Sequence, residues 1–244
     1  MSGEKAGVDT EAQAHFLQGN SYRNEGKMAE ALAEYRKAVE FSPDYSKARF
    51  NLGKLLLAEG QVEEAIAELQ QIGSEDPLYA KAQYLLGIAY TQSREIDKAV
   101  TAYREALQAD SELGAAYWNL GLLYLEQRRY IDAIDMLKQA IDRFPDSAVL
   151  YYNLGNAYAQ DALYEGEILN YSRKEDAVEA YRKAIACDPE FAKAYYNLAC
   201  LLQKSDREEG IAAWEQYLEV ARKKKEEAEW VKKAQNYLAE LREA

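Results

Sequence analysis

The sequence predicts an all-α protein built from repeated pairs of helices. Its 244 residues include only four prolines, and they are rich in Ala, Glu, Leu, Lys and Gln, which favour helix. No long stretch alternates apolar and polar residues, so a sheet has little support. Glycines recur every 34 residues, as expected for a repeat made of two helices: Gly19, Gly53, Gly87, Gly121 and Gly155.

Each 34-residue unit has the features of two amphipathic helices joined by short turns. Alanines follow the first four glycines at a fixed interval of 12 residues, and all four prolines share one phase of the repeat. Neither helix can bury its apolar stripe alone, so neighbouring helices must stack. The recurring Gly and Ala are expected where two helix backbones approach closely, and the proline ends the second helix.

The segments RFNLGKLL, YWNLGLLY, YYNLGNAY and YYNLACLL, at this spacing, resemble the tetratricopeptide repeat (TPR) family over residues 12–241. The resemblance implies a right-handed α-solenoid, a superhelix in which the first helix of each repeat lines a concave groove. We predict a flexible N-terminus at 1–11, a C-terminal capping helix within 226–244, and six TPR repeats at 12–45, 46–79, 80–113, 114–147, 148–191 and 192–225.

The fifth repeat carries ten additional residues around Leu163–Ser172. They predict either a longer helical hairpin or a binding loop at the edge of the superhelix. Because several of these residues are apolar, packing on the protein or on a partner is expected: Tyr164, Ile168, Leu169 and Tyr171.

Composition excludes several function classes. The net charge of −12 argues against a general affinity for nucleic acid or anionic lipid. A single histidine, and two cysteines without zinc or redox spacing, predict a non-catalytic protein with no metal and no cofactor. Without a signal peptide or a transmembrane segment, a cytoplasmic location without direct membrane insertion is expected, with a removed leader or anchor as the alternative.

Aromatic residues occupy position 5 of every repeat, counted from its first residue. They are expected either to pack against the next repeat or to offer rigid contact surfaces to a ligand. The six are Phe16, Phe50, Tyr84, Trp118, Tyr152 and Tyr196.

Asparagines occupy position 6 of four repeats, and Leu17 and Leu85 interrupt this row. Since an amide offers both a donor and an acceptor, an asparagine can pair with one peptide unit of an extended ligand. Similar rows line the grooves of TPR superhelices such as that of O-linked N-acetylglucosamine transferase. The asparagines predicted to bind peptide are Asn51, Asn119, Asn153 and Asn197, together with Asn20 and Asn156.

Positive residues dominate the predicted groove, although the protein is acidic. The groove positions carry a net charge of +5, which leaves −17 for the rest of the chain. This asymmetry predicts a ligand with acidic residues or a free C-terminal carboxylate. The groove charges are Arg23, Lys47, Lys54, Lys81, Lys193 and Lys204 against Glu126.

The groove is also similar in part to that of the carboxylate-clamp co-chaperones, which hold acidic chaperone tails. Asn20, Asn51 and Lys81 match three of the five clamp positions. Phe16 and Leu85 stand where the clamp needs cations, so binding of a chaperone tail is a minor hypothesis.

The predicted function is that of a non-catalytic scaffold or adaptor, which holds an extended acidic segment of a partner protein in its groove. One alternative is an assembly subunit that forms a homo-oligomer or docks through its convex face or its termini. Another is the regulatory TPR domain of a larger enzyme system.

Overall fold

The computed structural model describes residues 9–164, 167–168, 171–203 and 206–243, without the side chains of 163, 164, 167, 168, 171 and 226. Nearly all of these residues are helical, which confirms the all-α class. They divide into two compact units, Met1–Ala116 and Tyr117–Ala244, here named the first and second unit. Within the described residues, no helix is both long and apolar enough to cross a membrane.

The first unit consists of three stacked helix pairs. Its helices are α1 (Thr10–Asn24), α2 (Met28–Phe41), α3 (Ser46–Ala58), α4 (Val62–Leu69), α5 (Tyr79–Gln92) and α6 (Ile96–Ala109). The pairs are α1 with α2, α3 with α4 and α5 with α6, and they stack through contacts of α2 with α3 and of α4 with α5.

Helix α4 is shorter than the roughly thirteen residues expected from the repeat. It ends at Leu69 after eight residues. The segment that follows contains Gly73 and Ser74, which are weaker helix formers than the residues at the ends of α2 and α6. Ile72 is nevertheless buried, so the apolar contact of this segment is kept without helical geometry.

The second unit begins within α7 and continues the same arrangement. Its helices are α7 (Gly114–Glu126), α8 (Tyr130–Arg143), α9 (Ala148–Ala162), α10 (Tyr171–Cys187), α11 (Ala192–Leu202), α12 (Arg207–Ala221) and α13 (Ala228–Glu243). A 3-10 turn at Lys225–Glu227 precedes α13. Helix α9 pairs with α10 and α11 with α12, and α8 packs on α9 and α10 on α11.

The ten-residue insertion differs from both expectations. Helix α10 is 17 residues long, and between α9 and α10 lie two two-residue strands, β1 (Leu163–Tyr164) and β2 (Glu167–Ile168). They pair antiparallel, with Leu163 opposite Ile168. The insertion is therefore partly a longer helix and partly a short β-ladder. The expected apolar packing of Tyr164, Ile168, Leu169 and Tyr171 concerns side chains that lie outside the described part of the structure.

Helix α13 caps the last helix pair, as predicted. Ala234 and Leu238 are buried against α12, and the Tyr237 ring stacks on Trp214 at 5.4 Å between ring centroids. The guanidinium of Arg207 donates to the carbonyls of Leu241 and Arg242 at 2.6 and 3.0 Å. These carbonyls belong to the last turn of α13, where no intrahelical donor reaches them.

The glycine at position 8 of the first five repeats sets the spacing within each helix pair. A Cβ added at any of these glycines would lie 3.0 Å or less from a side chain of the second helix, a distance that real Cβ atoms avoid. The opposing residue stands at position 24 in the first four repeats, and at the equivalent position after the ten-residue insertion in the fifth; these residues are Tyr35, Leu69, Tyr103, Leu137 and Tyr181.

The turn inside four helix pairs requires a left-handed residue at position 15. Gly26 and Gly60 adopt it with φ of 77° and 75°, whereas Arg94 and Arg128 adopt it with φ of 59°. This conformation closes the first helix, because the next amide donates back to its last turn, as from Glu95 to the Tyr90 carbonyl at 2.8 Å. A side chain with a Cβ is strained there.

Gly19→Ala should lower the free energy of unfolding by about 2 kcal/mol, because the new methyl group would meet the buried Tyr35 ring. The nearest Tyr35 atoms lie 2.7 Å from the added Cβ. Gly73→Ala is the control in the same unit, since nothing lies within 4 Å of its Cβ. Urea unfolding checks both variants, and equal midpoints would contradict the close approach of α1 and α2.

Arg94→Gly and Arg128→Gly should each raise the free energy of unfolding by about 1 kcal/mol, because glycine adopts the left-handed turn without strain. Arg104→Gly, at an exposed position inside α6, should instead lower it by about 1 kcal/mol. Thermal melts of the three variants give the comparison, and a loss of stability at both turns would refute the strain.

Candidate functional site

The first helices of the repeats carry every predicted binding residue. Each of these side chains is exposed or half-buried. In the first unit they are Phe16 and Asn20 on α1, Lys47, Phe50, Asn51 and Lys54 on α3, and Lys81 and Tyr84 on α5. In the second they are Trp118 and Asn119 on α7, Tyr152, Asn153 and Asn156 on α9, and Lys193, Tyr196 and Asn197 on α11.

The position-5 aromatic rings pack within and between repeats. The Phe16 centroid lies 6.0 Å from that of Tyr35 and 5.1 Å from that of Tyr45, the last residue of this repeat, which caps the first helix of the next. Tyr152 repeats this arrangement with Tyr181 at 6.2 Å and Phe191 at 5.2 Å. Since these rings are only half-buried, packing leaves part of each exposed for contact with a ligand.

Trp118 differs from the other position-5 residues in its polar atom. The side chain is half-buried, but its Nε1 is enclosed and has no hydrogen-bond acceptor among the described residues. An enclosed donor without an acceptor is unfavourable by about 1–3 kcal/mol. Trp118 therefore contributes apolar area rather than a bond to solvent.

In the first unit, two asparagines and a tyrosine form a network that joins the first two repeats. The Tyr35 hydroxyl donates to Asn20 Oδ1 at 2.8 Å, and Asn51 Nδ2 donates to the same oxygen at 3.1 Å. The sequence predicted ligand binding for both asparagines. Part of their hydrogen-bonding capacity instead links α1, α2 and α3.

The same network recurs in the second unit between the fifth and sixth repeats. Tyr181 donates its hydroxyl to Asn156 Oδ1 at 2.8 Å, and Asn197 Nδ2 donates to that oxygen at 2.8 Å. Asn197 Nδ2 also donates to the Tyr152 hydroxyl at 3.3 Å. Burial raises the pKa of Tyr181 above its ordinary value, so its hydroxyl stays protonated and remains a donor.

Asn153 holds position 6 as well, but the preceding repeat has Leu122 where Asn20 and Asn156 stand in theirs. A leucine accepts no hydrogen bond, so this network does not form at Asn153. The half-buried Asn153 is therefore chemically distinct from Asn51 and Asn197.

Four cations of the first unit, here named the basic face, stand at groove positions: Arg23, Lys47, Lys54 and Lys81. None of them pairs with an acidic side chain among the described residues. The groove positions of this unit contain no Asp or Glu, although residues 1–116 hold 12 Lys and Arg against 19 Asp and Glu. The basic face is thus a local reversal of charge.

Several cations elsewhere in the described part of the first unit are paired with acidic residues. Arg49, two residues from Lys47, binds Glu68, and Arg36 binds Glu64 at 3.0 Å. Lys37 binds Glu34 at 2.8 Å. These paired cations lie outside the groove positions, whereas the cations of the basic face have no acidic partner in the described part of the unit.

The groove positions of the second unit are close to neutral. Lys193 and Glu126 are the charged residues there within the described part of the chain, and Lys204 lies outside it. The predicted positive charge of the groove is consequently concentrated in the first unit.

A pocket of about 360 Å³ opens in the second unit at the junction of α9, α11 and the C-terminal segment. Four of its lining residues were predicted from the sequence. Glu227 and Trp230 were missed, because the last helix was interpreted only as a cap. The lining residues, here named the aromatic pocket, are Tyr152, Lys193, Tyr196, Asn197, Glu227 and Trp230.

The two asparagines and one lysine that match the carboxylate clamp, Asn20, Asn51 and Lys81, do not form a complete clamp. Asn20 Oδ1 already accepts two hydrogen bonds, and Phe16 packs between Tyr35 and Tyr45. Leu85 is half-buried. The two missing cations therefore have no substitute at these positions.

His15 on α1 contacts an acidic side chain of α2. Its Nδ1 lies 2.5 Å from Glu34 Oε2 on α2, and its ring stacks on Phe41 at 5.3 Å. Lys37 and His15 lower the pKa of Glu34 below its ordinary value. The contact links α1 to α2. No group of three or more metal-binding side chains occurs in the described ranges.

Comparison with known proteins identifies the repeat. Tetratricopeptide-repeat family models match residues 22–87 and 118–173, and a TPR-repeat model matches 89–128 and 173–206. A search of curated protein sequences finds no significant match.

Solved structures with a similar arrangement of helices include the following three. The MamA protein is 25% identical, with a TM-score of 0.64 over 75% of this chain and 94% of MamA. Pseudomonas aeruginosa pilF is 18% identical, with a TM-score of 0.67 over 92% and 98%. YrrB, a TPR protein with an unusual peptide-binding site, is 20% identical, with a TM-score of 0.62 over 76% and 91%.

Asn156→Ala should lower the free energy of unfolding by about 1–3 kcal/mol, because it leaves the buried Tyr181 hydroxyl and an Asn197 amide without their acceptor. Asn153→Ala, on the same helix and outside the network, should change it by about 0.5 kcal/mol or less. Denaturant unfolding measures both, and equal losses would contradict the joining role of Asn156.

Proposed function

Because the chain belongs to the tetratricopeptide repeat family, we propose that it is a non-catalytic scaffold whose basic face binds an extended acidic segment of a partner protein. The observation that carries this proposal is the set of four cations without acidic partners on an otherwise acidic unit. The likeness to YrrB, a TPR protein with a peptide-binding site, is consistent with it.

The arrangement of the cations suits an extended chain. Lys47 and Lys54 lie seven residues apart on α3, so they share one helix face at a rise of about 10 Å. An extended peptide covers this distance in about three residues. Lys81 repeats the position of Lys47 on α5, which packs against α3. A segment with several acidic residues could therefore meet more than one lysine at once.

The unpaired state of these cations favours binding of an anion. A lysine already in an ion pair must lose that partner before it binds another carboxylate, whereas the cations of the basic face have none to lose. Their common sign raises the local concentration of an acidic ligand and speeds association. The attraction between these lysines and a bound carboxylate is screened by salt, since Lys47, Lys54 and Lys81 are exposed.

Apolar and amide groups next to the cations would slow release. Phe16, Phe50 and Tyr84 are half-buried beside the basic face, and Asn51 keeps one N–H and its carbonyl after donating to Asn20. In the second unit, the half-buried Trp118, Asn119, Tyr152, Asn153 and Tyr196 offer the same kinds of side chain to a ligand. Such contacts act mainly on the dissociation rate.

The test uses a fluorescein-labelled peptide of alternating Glu and Ser, with the Gln and Ser peptide as its neutral counterpart. The triple variant Lys47→Glu, Lys54→Glu and Lys81→Glu should weaken binding of the Glu peptide by about tenfold or more at low salt, mainly through slower association. It should also flatten the dependence of affinity on salt. Fluorescence anisotropy and stopped-flow mixing measure affinity and rate.

The matched control is Lys27→Glu, Lys37→Glu and Lys98→Glu, which changes the net charge equally but at exposed lysines paired with Glu25, Glu34 and Glu95. Both triple variants should keep the helicity of the natural protein. The proposal fails if both triple variants weaken binding of the Glu peptide equally, because net charge alone would then explain the attraction. It also fails if the Gln peptide binds the natural protein as tightly as the Glu peptide does.

Assembly with further copies is the second candidate function. The observation that favours it is a set of large apolar side chains exposed away from the predicted groove positions: Phe41, Ile131 and Phe144. Isolated exposed apolar residues are common on monomers, so the basic face supports the first candidate more directly. Light scattering on the purified chain distinguishes a monomer from an oligomer.

A further inference from the structure

The aromatic pocket is a second site, separate in its chemistry from the basic face. It holds about 360 Å³, which is within the size range of ligand pockets and enough for a large side chain with its backbone. Tyr152 comes from α9, three lining residues come from α11, and Glu227 and Trp230 come from the C-terminal segment.

Aromatic rings form its walls and are held in place by their neighbours. Tyr196 meets Trp230 edge to face at 5.2 Å, and the same Tyr196 ring contacts Trp214 and Tyr217 at 5.1 and 5.3 Å. Trp230 nevertheless remains 44% exposed, whereas Trp214 is fully buried. A fixed aromatic wall with an open side gives a ligand apolar contact without ordering a flexible side chain.

Polar atoms in the pocket offer one donor beside one acceptor. Both N–H groups of Asn197 are committed, one to Asn156 and one to the Tyr152 hydroxyl. Asn197 Oδ1 is thus left as an acceptor, and Tyr152, which accepts from Asn197, keeps its hydroxyl proton to donate. One residue of an extended peptide presents its N–H and its C=O on the same side, which matches such a pair.

The charges at the pocket cancel. Lys193 contributes one positive charge and Glu227 one negative charge. The Tyr217 hydroxyl donates to Glu227 at 3.0 Å and holds that carboxylate in place. No net charge favours an acidic or a basic side chain, and the aromatic walls favour an apolar one.

We propose that the aromatic pocket binds one large apolar side chain, of the size of Phe or Leu, from an extended segment of a partner protein. The backbone of that residue bonds to Asn197 and Tyr152, and Trp230 closes the side chain from the C-terminal side. Helix α13 is then part of a binding site in addition to its capping role. This site does not depend on the basic face.

The probe is an uncharged, blocked pentapeptide, acetyl-Gly-Ser-Phe-Ser-Gly-amide, added to the ¹⁵N-labelled full chain. The indole signal of Trp230 should shift saturably, while that of Trp118, which does not line the pocket, stays in place. The same peptide with Leu at its centre should bind similarly. Peptides with central Ser, Lys or Glu should bind about tenfold more weakly or worse.

Two variants test the assignment of the walls and the polar pair, followed through the backbone amide of Asn197. Trp230→Ala should weaken binding of the Phe peptide by about tenfold. Tyr152→Phe, which removes only a hydroxyl, should weaken it by about fivefold. The control is Tyr237→Ala on the same helix, which stacks on Trp214 outside the pocket and should leave the affinity unchanged.

Absence of a saturable shift with the Phe peptide would overturn the proposal, as would equal binding of the Lys or Glu peptide. An affinity for the Phe peptide that neither Trp230→Ala nor Tyr152→Phe changes would also overturn the proposal. The charge reversals at Lys47, Lys54 and Lys81 should leave binding of this uncharged peptide unchanged. Failure of this site and failure of the basic face are therefore separate results.

Discussion

The close approach of the two helices in each repeat is the constraint on which the other contacts depend. It exists because the residue at position 8 has no Cβ, so the ring of Tyr35 or Tyr181 lies directly on the backbone of the facing helix. A ring placed there brings its hydroxyl to the asparagine that follows the glycine on the first helix, Asn20 or Asn156. Spacing within a repeat thus positions the polar contacts between repeats.

The period of Gly, Ala and Pro was sufficient to predict the helix pairs, because these residues act through local sterics that the sequence displays directly. The length of α4 and the β-ladder after α9 were not predicted. In the first case Gly73 and Ser74 weaken a helix whose apolar pattern continues to Ile72. In the second, ten inserted residues had no counterpart in the other repeats from which to infer their structure.

The candidate site was predicted in its positions but only partly in its roles. An asparagine at position 9 and another at position 6 of the next repeat form one contact, 31 residues apart in the first unit and 41 in the second. The sequence contains this signal, but it becomes visible only when adjacent repeats are compared by position. Trp230 stands at position 5 when the count continues from residue 226, so the aromatic series contained a signal for it. The last helix was interpreted only as a cap, and the place of Glu227 and Trp230 in the aromatic pocket required the packing of α13.

The asparagine networks also bear on how similar repeats find their correct neighbours during folding. Units of nearly equal length and apolar pattern can stack in a shifted order, since apolar contacts discriminate little between them. Shifted orders that place Asn51 or Asn197 against Leu122, or Asn20 or Asn156 against Leu85, would lose the amide bond between repeats. Each amide left without its partner is unfavourable by about 1–3 kcal/mol, so a polar match adds to apolar area in favouring the native order of repeats one and two, and of five and six.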